Sequence, residues 1–137
     1  MKKIFFAIFF VALCVVVALT GCNTSKSYEG VEELADDSTF RPGATVDVPT
    51  VLDFNATWCG PCQQFKPVFH AAAEKFDHVH FVSVDVDSNP ETAAAFGVTA
   101  IPTVVFIGTD GSEQRFIGTE DLLPKEKFEA LVEELTK

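Results

Sequence analysis

Positive charge is what this sequence has least of. Its 137 residues carry 10 Lys and Arg against 20 Asp and Glu, a net charge of −10. Binding to nucleic acid depends on neutralising phosphates with Lys and Arg, so the balance argues against a nucleic-acid partner. It argues equally against docking by charge on anionic lipid heads. The length leaves room for one domain and not two. No segment repeats, and no low-complexity tract occurs beyond the polar stretch Asn23 to Gly30. Cysteine occurs four times, histidine three times and tryptophan once. Only Cys59 and Cys62 are close in sequence, so no second pair completes the four-ligand set that a structural zinc site needs.

What is abundant lies first at the N-terminus. Ile4 to Leu19, IFFAIFFVALCVVVAL, is apolar throughout, and Lys2 and Lys3 precede it. A positive segment followed by such a run reads as a secretory signal. The run is short of the roughly 20 residues that span a bilayer. Leu19-Thr20-Gly21-Cys22 resembles the lipobox of bacterial lipoproteins: an aliphatic residue, two small ones, then cysteine. That resemblance implies cleavage before Cys22 and a diacylglyceryl group on its thiol; the alternative is an uncleaved anchor. Either way the remainder is expected to be tethered in the cell envelope, with its domain facing the periplasm. The expected division is a signal peptide over 1–21, lipid anchor, linker and start of the domain over 22–45, and the domain over 46–137. Cys14 then leaves with the signal and lipid blocks Cys22, so Cys59 and Cys62 are the free thiols. Asn23 is not the aspartate that retains some lipoproteins in the inner membrane, which favours the outer membrane without deciding between them.

After the polar leash, Val31 to Leu34 suits an edge strand. Asp36, Asp37 or Ser38 is placed to cap a helical turn that Pro42-Gly43 would stop early. From Thr50 the pattern is regular. TVLDF reads as a buried strand. CQQFKPVFHAAAEKF sets Phe65, Val68, Phe69, Ala72, Ala73 and Phe76 on one helical face, with a kink expected at Pro67. VHFVSVDVD is a second strand, and Pro90 opens a short helix that Gly97 closes. TVVFI and SEQRFI flank GTDG, a hairpin signal. Phe128, Leu131, Val132 and Leu135 recur at helical spacing behind Pro124. The order predicts an α/β fold, a mixed sheet covered on both faces.

The segment TWCGPCQQF, Thr57 to Phe65, admits three readings of its cysteines: a redox couple, half of a metal site, or a static staple. Cys59 follows a buried strand and opens a helix, where N–H groups and the helix dipole stabilise a thiolate. Cys62, on the first helical turn, is within reach of its sulfur. Pro61 lacks an N–H that would be unsatisfied there anyway. A staple closing so small a ring constrains little chain entropy. A metal reading must recruit His70, His78 or His80, each better read as a packed or solvated residue, although metal delivery stays open as the binding-class alternative.

VLDFNATWCGPC resembles the active-site segment of the thioredoxin family, with Trp58, Cys59, Gly60, Pro61 and Cys62 matching position by position. Pro67, the DSNP turn (Asp87 to Pro90), the AIPTVVF loop and Gly118 match further family landmarks in order, over Val46 to Lys137. The resemblance implies a thioredoxin fold and thiol–disulfide exchange, with Cys59 attacking and Cys62 resolving through a Cys59–Cys62 disulfide. It implies a cis bond at Ile101-Pro102 that presents Ile101 to an extended substrate, and a docking surface containing Trp58 and Gly118. Asp53, in an apolar strand six residues before Cys59, is expected beneath the cysteines. Burial raises a carboxyl pKa and suits it to take and return the proton of Cys62.

Two positions depart from the family. Ser83 stands where a lysine often faces this acid, which should raise the pKa of Asp53 further, and Asn55 stands where tryptophan is common. No diffusible cofactor is implied. The expected partners are extracytoplasmic cysteine-containing proteins and a membrane or periplasmic dithiol protein, with the chain a monomer. Gly60-Pro61 accompanies a low potential in the family, so reduction of protein disulfides is expected, with oxidation or isomerisation the alternative. Too few residues separate Cys62 from Pro102 for the mid-domain insertion of many cytochrome-maturation relatives.

Overall fold

The computed structural model describes residues 28–137. The signal segment, Cys14, Cys22 and the start of the leash lie outside the described residues. Eight elements follow in chain order: strands β1 (Val31–Glu33) and β2 (Thr50–Asn55), helix α1 (Gly60–Lys75), β3 (His80–Asp85), α2 (Pro90–Ala95), β4 (Thr103–Ile107), β5 (Glu113–Ile117) and α3 (Lys125–Leu135). The strands form one mixed sheet in the order β1-β3-β2-β4-β5. β1 and β2 run parallel to β3, while β4 pairs antiparallel with β2 and β5 with β4. The expected mixed sheet with helices on both faces is what forms.

Period-two alternation divides the core. Val51, Phe81, Val104 and Phe106 point to the face covered by α1 and α3, where they meet Phe65, Phe69, Phe128 and Val132. Leu52, Phe54, Val82, Val84 and Val105 point to the other face, against Ala93 and Phe96 of α2 and against Leu34 and Phe40. Phenylalanine dominates the first layer. The rings of Phe65 and Phe128 meet edge to face at 4.9 Å, and those of Phe69 and Phe81 at 5.3 Å. Fully burying each such ring contributes roughly 1.5–3 kcal/mol. By the same alternation Asp53, Asn55 and Ser83 fall on the α1 face, and that parity sets up the site.

Residues 36–38 form no helix of their own. Asp36 instead accepts from the N–H and Oγ of Ser38. Asp37 reaches across the chain, its carboxylate accepting from the N–H of Glu91 at 2.9 Å and of Thr92 at 2.7 Å. It therefore caps α2, whose own Asn89 makes no side-chain cap bond and spends its amide on the carbonyls of Leu34 and Asp85. The Thr92 hydroxyl donates back to the Asp37 carbonyl. The N-terminal strap is thus stitched to α2. Helix α1 runs on through Pro67, which lies inside it without ending it. Leu123–Pro124 is cis as well as Ile101–Pro102; only the second was anticipated.

Candidate active site

The chain leaves β2 at Asn55 and turns so that Cys59 becomes the N-cap of α1, with backbone angles of −87° and 109°. Pro61 occupies the first helical turn, where its missing N–H costs nothing. Cys59 and Cys62 form a disulfide with Cα atoms 5.3 Å apart. The Cys62 N–H points at Cys59 Sγ across 3.2 Å. In the dithiol state that N–H, at the positive end of the helix, favours a thiolate on Cys59. Cys59 Sγ also lies 3.9 Å from the carbonyl oxygen of Ile101. Cys59 is 6% exposed and Cys62 only 2%, so of the two sulfurs Cys59 is the one an incoming partner can reach.

The rim is built from three loops. Trp58 is 69% exposed, yet its Nε1–H donates to Asp87 Oδ2 at 2.8 Å. Behind it opens a groove of about 170 Å³, lined by Trp58, Val86, Ala93, Val98, Thr99, Ala100 and Ile101. On the other flank Gly118, at φ +79°, donates its N–H to the Pro102 carbonyl at 2.8 Å. A side chain at that φ would be strained. At Gly60 a Cβ would meet nothing within 4 Å, leaving open space beside the cysteines.

Below the disulfide sits Asp53, 3% exposed. Desolvation, reinforced by the Glu33 carboxylate, pushes its pKa from 3.8 up to about 7, against smaller opposing effects of Lys66 and of the Asn55 amide. The expectation drawn from Ser83 is therefore only part of the balance, because Lys66 of α1 brings a positive charge that lowers the value. Asp53 Oδ1 meets no hydrogen-bond donor among the described residues. A cavity of about 10 Å³ lies between Asp53, Asn55, Cys62, Gln63, Lys66, Phe69, His70 and Ser83. That is about the space of one water.

The structure thus brings Cys59, Cys62, Trp58, Gly60, Pro61, Ile101, Pro102 and Gly118 to one end of the sheet, with Asp53 beneath. Cys22 lies outside the described residues. Asp87, Lys66 and Glu33 were not foreseen, because only the fold sets Asp87 against Trp58 and the other two against Asp53. The histidines scatter: His70 walls the cavity, His80 Nε2 is 2.7 Å from Glu32 Oε2, and His78 Nδ1 is 3.9 Å from Asp77. Among the described residues no three His, Cys, Asp or Glu side chains gather in a way that could hold a metal.

A vicinal dithiol–disulfide at a helix N-terminus, on a mixed α/β sheet, defines a thiol–disulfide oxidoreductase. The Thioredoxin family model matches residues 31–134. Rabbit (Oryctolagus cuniculus) thioredoxin is 40% identical over 107 residues, which cover 77% of this chain and 98% of the relative. Arabidopsis thaliana thioredoxin H2 is 44% identical over 85 residues, covering 62% of this chain and 61% of that longer protein. Among solved structures, Malassezia sympodialis thioredoxin superposes with a TM-score of 0.67 at 30% identity, over 81% of this chain and 95% of that one. The chain belongs to the thioredoxin family.

Proposed function

We propose that this chain is a lipid-tethered reductant of protein disulfides outside the cytoplasm. Cys59 thiolate attacks one sulfur of a substrate disulfide, and the other substrate sulfur leaves as a thiolate. Cys62 then gives its proton to Asp53 and attacks Cys59 Sγ, releasing the second substrate sulfur. Two electrons pass to the substrate, and the Cys59–Cys62 disulfide remains for an incoming dithiol protein to reduce. Trp58 and Gly118 frame the substrate chain, which lies along Ile101-Pro102 as an added strand. The partners are cysteine-containing extracytoplasmic proteins and a membrane or periplasmic dithiol donor. The tether is lipid on Cys22.

The observation that carries the reading is the Cys62 N–H aimed at Cys59 Sγ at the start of α1, which favours a low-pKa attacking thiol. The test is the reduction potential of the chain, equilibrated against dithiothreitol and followed by Trp58 fluorescence. A value near about −270 mV supports a reductant, and one near roughly −120 to −180 mV replaces it with an oxidant or isomerase. The tether is tested separately by palmitate labelling in bacteria expressing the full chain. Label that survives Cys22→Ser removes the lipid from the proposal.

A further inference from the structure

Asn55 makes a set of contacts that neither sheet pairing nor core packing calls for. It ends β2 two residues after Asp53, on the same face, with Ser83 opposite Asp53 on β3. Its Nδ2 is 2.9 Å from the Asp53 carbonyl, 3.0 Å from Ser83 Oγ and 3.4 Å from Asp53 Oδ2. The Asp53 backbone carbonyl, 2.9 Å away and without a proton, sets the amide with its nitrogen inward, because the amide oxygen would be repelled there.

The two oxygens of Asp53 are therefore unlike. Oδ2 lies against a donor, whereas Oδ1 is buried with no donor among the described residues. An oxygen that accepts an N–H does not also carry the acid proton facing it. When Asp53 is protonated, the proton consequently belongs on Oδ1. Asp53 and Cys62 line one small cavity together.

We propose that Asn55, braced by Ser83, is a positioning residue that orients the Asp53 carboxyl so that Oδ1 is the oxygen exchanging a proton with Cys62. The inference rests on the role given to Asp53 above. It assigns the neutral pair Asn55 and Ser83 the orienting work beside the carboxyl. The charged and titratable groups around the carboxyl are Glu33 from β1 and Cys62, Lys66 and His70 from α1. Val104 of β4, the opposite neighbour, adds none. The amide lowers the Asp53 pKa and is small beside desolvation, so its role shows in orientation together with a modest displacement of the titration.

The test is NMR on the full chain in detergent micelles, in the dithiol state. In the wild type, the Asn55 Hδ2 resonances should shift with pH at the midpoint of the Asp53 carboxyl carbon. Resonances that ignore that titration overturn the proposal without any variant. In Asn55→Ala the Asp53 midpoint should rise by roughly half to one pH unit. The alkaline-going limb of the rate of mixed-disulfide resolution should move with it, and the rate at neutral pH should fall several-fold. Asn55→Ser, which keeps a donor, should restore part of both. An Asn55→Ala protein that folds, titrates and resolves like the wild type refutes the role. If instead Asp53 titrates as described but Asp53→Asn resolves mixed disulfides normally, the role of Asp53 fails and not the clamp.

Discussion

Trp58 and Asp87, 29 residues apart in the chain, are joined by an indole N–H to carboxylate hydrogen bond of 2.8 Å. The bond ties the loop before α1 to the loop before α2. It holds a large exposed ring at a fixed angle over the groove beside Cys59. An unheld indole would have to be ordered each time a partner docks, at an entropic cost.

Asp87→Ala should therefore lower kcat/KM for a protein disulfide such as insulin by several-fold. Turnover of a small aromatic disulfide, which needs no docking surface, should remain at the wild-type rate. Equal losses on both substrates would place the effect at the sulfurs instead.

The contribution of Asp53 to stability should fall as the pH rises from about 4 to about 7. Asp53 titrates near 7 in the fold and near 3.8 when exposed, so the folded state holds its proton longer than the unfolded state does. Below about pH 4 both states are protonated and nothing is lost. Between the two values the unfolded state alone ionises, which costs up to about 4 kcal/mol for a shift of some three units. Above about pH 7 the loss is complete. Urea unfolding of the disulfide form should show Asp53→Asn more stable than the wild type at pH 8, with the difference closing near pH 4. A pH-independent difference would contradict the burial argument.

The cap on α2 has the opposite sign. Partial desolvation raises the Asp37 pKa, but the N–H groups of Thr92 and Glu91, the Thr92 hydroxyl and Arg41 outweigh it and leave the value below 3.8. The cap's contribution is present above that pH and lost as the pH falls through the lower folded value. Asp37→Ala should speed amide hydrogen exchange at Ala93 and Phe96 at neutral pH and lower the Tm by a few degrees. Exchange confined to wild-type rates would show that α2 holds without the strap.

Phe128→Ala should be the most damaging single change away from the sulfurs. The ring is fully buried and packs against Phe65 at 4.9 Å and against Phe69 and Phe106 at 6.1 Å. Removing such a side chain costs about 3–5 kcal/mol. Denaturant titration checks it, and a loss below about 1 kcal/mol would mean that α3 can close over the gap.

Much of this was legible beforehand. Val51, Leu52 and Phe54 form with Asp53 a short, mostly apolar run that already declares a buried strand. The spacing of Phe65, Phe69, Ala72 and Phe76 declares the helical face that covers it. Cys59 and Cys62 announced themselves by their spacing and by the residues around them. What stayed hidden depends on chain segments that meet only after folding. Asp37 suggested a local turn, yet its carboxylate caps a helix whose N–H groups lie 54 and 55 residues away. Glu33 and Lys66 shift the Asp53 pKa in opposite directions, and neither shows any local pattern. Asn55 looked like a departure from a family habit; the three oxygens that its Nδ2 meets come from two strands.

The parallel pairing of β1 with β3 fixes where the described chain begins relative to the sulfurs. Tyr28 donates its N–H to the Asp77 carbonyl, just before β3 begins, whereas the cysteines follow the far end of the adjoining β2. Six residues of strand at about 3.3 Å each put roughly 20 Å between those two ends. Anything fastened at Tyr28 itself, whether a bead or a gold electrode, would therefore meet the domain from behind. Immobilised that way, the protein would show its sulfurs to the solution, and voltammetry on a captured monolayer would address a couple that bulky substrates can still approach head-on.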